Sequence, residues 1–335
     1  MAVDAGTIET YDNSVLHDDL QDAFSMISPE ECPFIQMIGT KSVTNKQFDW
    51  PIVELQDPDP NNRVPEGEAN PDNDDGTLAE RIWNFCQISD KVVKVSHTSQ
   101  AVDAAAENIQ RLNKQKALKM KEMKRDMEVM LLSNVPAIPG VSGTARQTAG
   151  LPAFLRTNVD AAAGATMPTL SGGSEGYPDA AWGDGTATRV FDEDSLNDVI
   201  ERGWTSGAEP SVIMLNGGNK RRLSATFTGN STRYKDSVDS ALNASIDFYT
   251  SDFGELTVVP NRFQPTLNAA SDDDNYAVYV LDPDYARVAY LDPVQSKPLA
   301  ETGHGMRELV WAEYGLQVDN EAAHGILTDT DNTKA

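Results

Sequence analysis

The sequence predicts an α+β fold, and three observations carry that prediction. Residues Ala101–Leu132 run without Gly or Pro and are dominated by Ala, Leu, Lys, Glu and Met, all strong helix formers. Two apolar stretches, Ser42–Leu55 and Arg81–Val95, read as strands set apart by a long polar passage. From Asp192 onward the pattern becomes helix, strand, helix and then several strands, the order expected of a mixed sheet with helices at its sides.

The opening forty residues read as an arm. Val15–Met26 has a helical rhythm, with Val15, Leu16, Leu20, Ala23, Phe24 and Ile27 as apolar contacts, Ser14 as cap, and Asp18 and Asp19 in the first turns. Pro29 suits a first helical position; the alternative is a turn between two short helices. Both readings leave an apolar plug at Phe34–Ile38.

In the first strand-like stretch Phe48, Trp50, Ile52 and Val53 are the apolar markers, and in the second Ile82, Phe85, Ile88, Val92, Val93 and Val95. Between them Asp57-Pro58-Asp59-Pro60 and Asn70-Pro71-Asp72-Asn73-Asp74-Asp75-Gly76 favour turns and extended chain. A polar connection of that length is uncommon inside a compact domain and usually has a role, such as reaching a neighbouring subunit.

The long helix would span roughly 48 Å at 1.5 Å per residue. Ile109, Leu112, Met120, Met123, Met127, Met130 and Leu131 fall near one stripe, while Lys116 interrupts a strict heptad. A long helix packed across a sheet fits better than a coiled coil, and Asn134 and Pro136 end it. It holds Arg111, Lys114, Lys116, Lys119, Lys121, Lys124 and Arg125, seven of the chain's 27 basic residues. Three readings stand: nucleic-acid contact, a solvated face offset by Glu122, Asp126 and Glu128, or pairing between subunits against the acidic loop at 57–75 or the arm. The latter two together are favoured.

Pro136–Ala187 is rich in Gly, Ala, Ser, Thr and Pro, with one apolar knot at Gly150–Leu155 and with Tyr177 and Trp182 as candidate pins. Beyond it, Asp194 or Ser195 caps a helix running through Gly203, with Leu196, Val199 and Ile200 inward and Trp204 closing it. Pro210–Asn216 reads as a buried strand, Gly217-Gly218 as a turn, and Asn219–Phe227 as a helix. Val238 and Ile246 flank a polar connection that Phe248 and Tyr249 continue. Strands follow at Glu255–Pro260, Tyr276–Leu281, Ala289–Leu291 and Glu308–Tyr314, with a last one at Ala323–Leu327.

No chemistry stands out. The context of Gly217-Gly218-Asn219-Lys220 suits a phosphate loop, but the Walker spacing is absent. Asp272-Asp273-Asp274 lacks the glycine and terminal glutamate of a calcium loop. Gly172–Gly176 is linker and not a serine elbow, and His304 is a loop residue. The histidines, His17, His97, His304 and His324, are scattered, and Cys32 and Cys86 read as reduced thiols, so neither a zinc site nor a disulfide framework is expected. No enzyme, cofactor or metal is expected. No apolar run approaches a membrane span, and Met1–Thr10 lacks a signal peptide's regions, which points to a cytoplasm. The net charge of −25 argues against a nucleic-acid grip, though not against a container for nucleic acid.

The order of motifs resembles the tailed-bacteriophage major capsid proteins with the Hong Kong 97-like fold. Ile27-Ser28-Pro29-Glu30-Glu31-Cys32-Pro33-Phe34 is close to a plug near the start of such coats, with Cys32 where threonine is common. Phe48-Asp49-Trp50, Asn84–Val95, the helix end Lys124–Leu132, Gly150–Asn158, Pro210–Leu223 and Tyr276–Tyr290 follow in matching order, so the resemblance covers about 10–325.

The resemblance implies an N-terminal arm (1–41), an extended loop (42–97), a peripheral part (98–190) with a spine helix at 98–134, an axial domain (191–325) and a tail (326–335). Late stretches around 255–270 and 305–327 are expected to return to the peripheral sheet. It further implies pentamers and hexamers of this chain forming an icosahedral head around double-stranded DNA, in a virion assembled in host cytoplasm. The partners implied are a portal, a decoration or cement protein, and a scaffolding protein. Since no long charged helical segment precedes residue 40, the scaffold is expected to be a separate chain. Candidate contacts between subunits are Phe34, Trp50, Arg63, Glu66, Asp74, Asp75, Lys116, Lys119 and Arg125. Some relatives link a loop lysine to an asparagine; here Lys41, Lys46 and Lys91 lie only at the loop's edges, so a crosslink is not expected. An encapsulin-like compartment shell, or another structural protein, is the alternative.

Overall fold

The computed structural model describes residues 30–331 apart from 56–57, 62, 64–65, 68–75, 77, 102–110, 184, 186–187, 227–246, 268–274 and 302. The arm helix at 15–26, the loop tip with Asp74 and Asp75, the connection at 238–246 and the Asp272–Asp274 turn lie outside the described residues.

In chain order the elements begin with α1 (Pro33–Met37), β1 (Gly39–Ser42), β2 (Gln47–Ile52), β3 (Glu80–Phe85), β4 (Gln87–Val95), α2 (His97–Ala101) and α3 (Arg111–Leu132). Next come β5 (Val159–Asp160), α4 (Glu193–Thr205), β6 (Val212–Leu215), α5 (Gly217–Thr226), β7 (Phe248–Ser251) and β8 (Gly254–Pro260). The chain closes with β9 (Asn275–Leu281), β10 (Ala286–Leu299), β11 (Met306–Val318) and β12 (Gly325–Asp331). They form a four-stranded sheet β1-β10-β11-β4, a six-stranded sheet β5-β12-β9-β6-β8-β7, and the pair β2-β3.

α3 lies across the four-stranded sheet, on β4 and β11. Met123, Met127 and Leu131 repeat at helical spacing and are buried beneath it. The helix stops at Leu132, as the sequence predicts. Of the expected stretch, 111–132 and the short α2 are helical, and 102–110 is not described. Gly150 packs against the helix end so closely that a Cβ there would sit 1.9 Å from the Ser133 carbonyl oxygen, which is why only glycine fits.

The six-stranded sheet is buried on both faces. In β6, Ile213 and Leu215 join one cluster, with Leu196, Val199 and Ile200 of α4, while Val212 and Met214 join the main core with α3 and the four-stranded sheet. Side chains alternating between two faces that are both buried explain the unbroken Val-Ile-Met-Leu run.

Several expectations need correction. The cap of α4 is Asp192, whose side chain accepts from the Ser195 amide at 2.9 Å; the helix starts at Glu193, so Asp194 and Ser195 fall inside it. Trp204 does not close that helix: it is 58% exposed and sits beside Phe253, ring centres 5.4 Å apart. Gly217-Gly218 opens α5 rather than forming a separate turn. The run Ser42–Leu55 breaks after Ser42, because β1 pairs with β10 and β2 with β3. Arg81–Val95 likewise breaks at Cys86, where the chain passes from the β2–β3 pair into the four-stranded sheet.

β10 is far longer than Ala289–Leu291. Its pairing with β11 shifts register on either side of Asp292, where Pro293 has no amide hydrogen to donate, and the ladder resumes at Gln295. Two interrupting prolines, Pro293 and Pro298, hid this strand from a periodicity reading. Of the late segments, 254–260 lies in the six-stranded sheet, 306–318 in the four-stranded sheet, and 325–331 in the six-stranded sheet.

Candidate assembly interface

The loop rises from the β2–β3 pair, six residues matched from Gln47↔Phe85 to Ile52↔Glu80. Alternation sends Phe48 and Trp50 inward, their rings stacked 5.9 Å apart, while Asp49 faces out and meets Arg81 in a 2.5 Å ion pair. The base is tied by Asn84, fully buried. Its Nδ2 donates to Thr148 Oγ1 (3.0 Å) and to the Leu316 carbonyl (2.7 Å); its Oδ1 accepts from the amides of Phe85 (2.8 Å) and Ala149 (3.1 Å). All four hydrogen-bonding positions of one amide are filled. Behind it β11 crosses at Gly315, where a Cβ would meet the Phe48 ring at 2.7 Å.

Beyond Ile52 this order ends. Val53, Leu55 and Leu78 are exposed, the last two by 91% and 86%. Arg63 and Glu66 are exposed with them. Residues 53–79 hold eight acids and one base, Arg63. Leucines this exposed beside a strongly acidic segment suit a surface that another molecule covers.

Of the residues named from sequence as contacts, Phe34 and Trp50 belong to the subunit's own core at 0% and 5% exposure. Apolar side chains in a plug and in a strand look alike in sequence whether they pack inward or against a neighbour. Lys116 and Lys119 are engaged within the chain, on Glu308 (2.6 Å) and Glu122 (2.6 Å), and the Arg125 guanidinium lies 5.0 Å over the Phe263 ring. The exposed cations of α3 are Lys121, paired with Glu30 at 2.7 Å, and Lys124.

The sequence reading sets Glu128 among the acids of a solvated face of α3, and the structure buries it instead. Glu128 is fully buried; Oε1 accepts from the Phe34 amide (2.8 Å) and from Asn261 Nδ2 (2.7 Å), and Oε2 from the Ile35 amide (2.9 Å). It thereby caps the free amides of α1. Burial pushes its carboxyl above the ordinary value, partly offset by these hydrogen bonds. Its place next to Met127 and one turn from Leu131 and Leu132, all three buried, was the available signal.

Burial also raises the Cys32 thiol to about 11 and the Cys86 thiol to about 12, leaving both protonated and unreactive at neutral pH. Lys41 donates to Gln317 Oε1 at 3.1 Å and Lys91 pairs with Asp126 at 2.6 Å, so two of the three edge lysines are occupied within the subunit. A groove of about 490 Å³ lined by Lys46, Ile88, Val141 and Arg146 has no convergent acid and base. Among the described residues no cluster of His, Cys, Asp and Glu is arranged to hold a metal, and no helix is long and apolar enough to cross a membrane.

An α+β subunit with a two-stranded loop base and a long helix laid across a sheet is thus on view. Residues 5–331 match the family described as the SU10 major capsid protein. The chain belongs to that family. A curated relative, the major capsid protein of Escherichia phage Phieco32, is 27% identical over 338 residues, covering 90% of this chain and 91% of the relative. Among solved structures, the capsid of the native GTA particle superposes with a TM-score of 0.64 at 14% identity, over 96% of this chain and 97% of that one. Mycobacterium phage Bobi gives 0.62 at 11%, over 96% and 98%. The holo-SrpI encapsulin of Synechococcus elongatus PCC 7942 gives 0.55 at 11%, over 98% and 97%. These likenesses show the fold, a mixed α+β architecture consistent with the Hong Kong 97-like capsid fold. Membership in a major capsid protein family makes this a structural shell protein of a bacteriophage virion.

Proposed function

We propose that this chain assembles into pentamers and hexamers that build the icosahedral head of a tailed bacteriophage and enclose double-stranded DNA. The observation that carries the reading is the loop: Leu55 and Leu78 stand almost fully in water on a segment anchored at its base by Asn84. Closed shells are made by repeating one chain's contacts around symmetry axes, and a projecting apolar-flanked loop supplies such a contact. Arg63 and Glu66 are exposed in that loop and are assigned here to the contact with a neighbour, as are Asp74 and Asp75 by their place in its sequence. α3 is the spine, the four-stranded sheet beneath it is the peripheral domain, and the six-stranded sheet with α4 and α5 is the axial domain. β10 and β11 bring the late chain back to the periphery.

The strongly acidic chain contains DNA without gripping it, since like charges repel. Assembly in host cytoplasm with a separate scaffolding protein, a portal at one vertex and a decoration protein completes this reading.

Electron microscopy of the protein expressed with its phage's scaffolding protein tests it. Closed particles with fivefold and sixfold clusters are expected; a chain that stays monomeric with that partner overturns the reading. Deleting 57–76 should leave a folded subunit that no longer closes shells. The encapsulin likeness favours a second reading, a cargo compartment; particles holding an enzyme and no genome would select it.

A further inference from the structure

β4 is an edge strand. In the order β1-β10-β11-β4 its nine residues pair with β11 on one side only. Alternate main-chain N–H and C=O groups of such a strand point away from its sheet. Among the described residues, nothing outside the sheet hydrogen-bonds to the main chain of 88–95. The other side of the sheet is managed differently. Where β1 stops covering β10, that strand carries Pro293, Pro298 and two register shifts, which spoil it for pairing. β4 has no proline, and its register with β11 is unbroken from Gln87↔Tyr314 to Val95↔Met306.

Its side chains divide cleanly. Lys91 and Val93 turn toward α3, where Lys91 meets Asp126 at 2.6 Å and Val93 is 4% exposed. Ile88, Asp90, Val92 and Lys94 stand exposed on the other face. Neither Asp90 nor Lys94 has an ion pair among the described residues, and Lys94 lies opposite Arg307 of β11, cation beside cation. Charges on an edge turn away most strands. These two admit one kind of partner, a strand that offers a base to Asp90 and an acid to Lys94. β4 itself, run antiparallel, is such a strand.

We propose that β4 pairs antiparallel with β4 of a second copy, centred on Val92, joining two four-stranded sheets into one of eight strands. Val92 then faces Val92, and Asp90 faces Lys94 twice over, which also offsets the Lys94–Arg307 repulsion. A centre at residue 90 or 94 would set Asp90 on Asp90 or Lys94 on Lys94. A centre at 91 or 93 would leave both charges opposite uncharged residues. The twofold axis of an antiparallel pair stands perpendicular to the sheet, so both α3 helices lie on the same side. α3 sits over β4 and β11, about 7 Å from the seam at ~4.8 Å per strand. The two helices then lie ~14 Å apart, clear of the roughly 8–10 Å of helices in contact. An axis of this orientation keeps one face of both copies inward. The pairing therefore links neighbouring rings across a twofold of the shell, and its place there rests on the shell reading.

Disulfide trapping tests the pair. Residues facing each other across such a centre have Cα atoms about 4.5–5.5 Å apart, within disulfide reach. Cys32 and Cys86 are buried and do not compete. Under mild oxidation Val92→Cys should link to a second copy at least tenfold more than Ile88→Cys, Asp90→Cys or Lys94→Cys alone. Asp90→Cys mixed with Lys94→Cys should link to each other. Asp90→Lys should cut the Val92→Cys link several-fold, and adding Lys94→Asp should restore it, which a merely structural effect would not do. No link at Val92, equal links at the control positions, or no rescue by the charge swap overturns the proposal.

A photoreactive amino acid at position 92 identifies the occupant of the edge. Links to 90–94 of a second copy support the pair; links to the 53–79 loop or to the scaffolding protein overturn it. Both experiments are read on the subunit in solution and on particles, with particle formation scored separately by microscopy. Particles without the Val92 link overturn the pairing and leave the shell reading standing. A Val92 link in a chain that never closes particles supports the pairing and counts against the shell.

Discussion

Asn261 Nδ2 donates to Glu128 Oε1 at 2.7 Å, joining the loop after β8 to α3 at the point where the arm leaves the body. One carboxylate therefore serves three segments far apart in sequence. The folded chain binds this proton more readily than the unfolded one, so lowering the pH toward the ordinary carboxylate range adds stability through Glu128.

Glu128→Ala leaves two α1 amides and the Asn261 amide without their acceptor in a buried site. A loss of about 3 kcal/mol is expected in urea unfolding of the purified subunit. Glu128→Gln keeps one oxygen for Phe34 and Asn261 and should lose clearly less. Equal losses in the two variants would rule out the hydrogen bonds as the cause.

His324 is buried, with Nδ1 accepting from the Asp282 amide at 3.3 Å, and burial pushes its pKa down to about 4. The unfolded chain takes up that proton near 6.5, the folded chain only near 4. Stability should fall as pH drops from 6.5 to 4, by about 3 kcal/mol from this group, and level off below. His324→Gln cannot titrate, and its urea midpoint should show a correspondingly flatter pH dependence across that window.

Thr148→Val removes the hydroxyl that accepts from Asn84 Nδ2 and from the Leu316 amide. About 2 kcal/mol should be lost. Hydrogen exchange should quicken first at β2 and β3, since the tie holds the loop base. Uniform quickening over the whole chain would mean the tie is not local.

Lys116→Met and Lys124→Met separate the two sides of α3. Glu308 is 7% exposed and would be left buried without its cation, so the first change should cost roughly 2 kcal/mol. The second, at an exposed position, should stay within about 0.5 kcal/mol in thermal unfolding. Equal effects would contradict this division of the helix.

Much of the fold was legible from sequence. Helical periodicity marked α3 and α4, alternation marked β8, and unbroken apolar runs buried on both faces marked β6 and β9. β10 was seen only in part, because Pro293 and Pro298 interrupt it and its partner β11 rescues the pairing through register shifts. The break at Cys86 was invisible, since both sheets it joins call for the same apolar residues. Exposed leucines at 55 and 78 could be placed on a loop but not shown to be uncovered. The engagement of Lys116 by Glu308 and of Arg125 by Phe263 within the chain was not legible, because those partners lie about 140 or more residues away in sequence. Asn84 was missed and Glu128 was read as a surface acid, because a buried polar residue looks in sequence like any surface one.

The four-stranded sheet has its two early strands, β1 and β4, at opposite edges, and they are bridged only by β10 and β11. A growing chain on the ribosome therefore carries α3 with no finished floor until residue 318 has emerged. Truncated products would lack the seat of the long helix, so the strand order would favour for assembly those chains translated almost to their end.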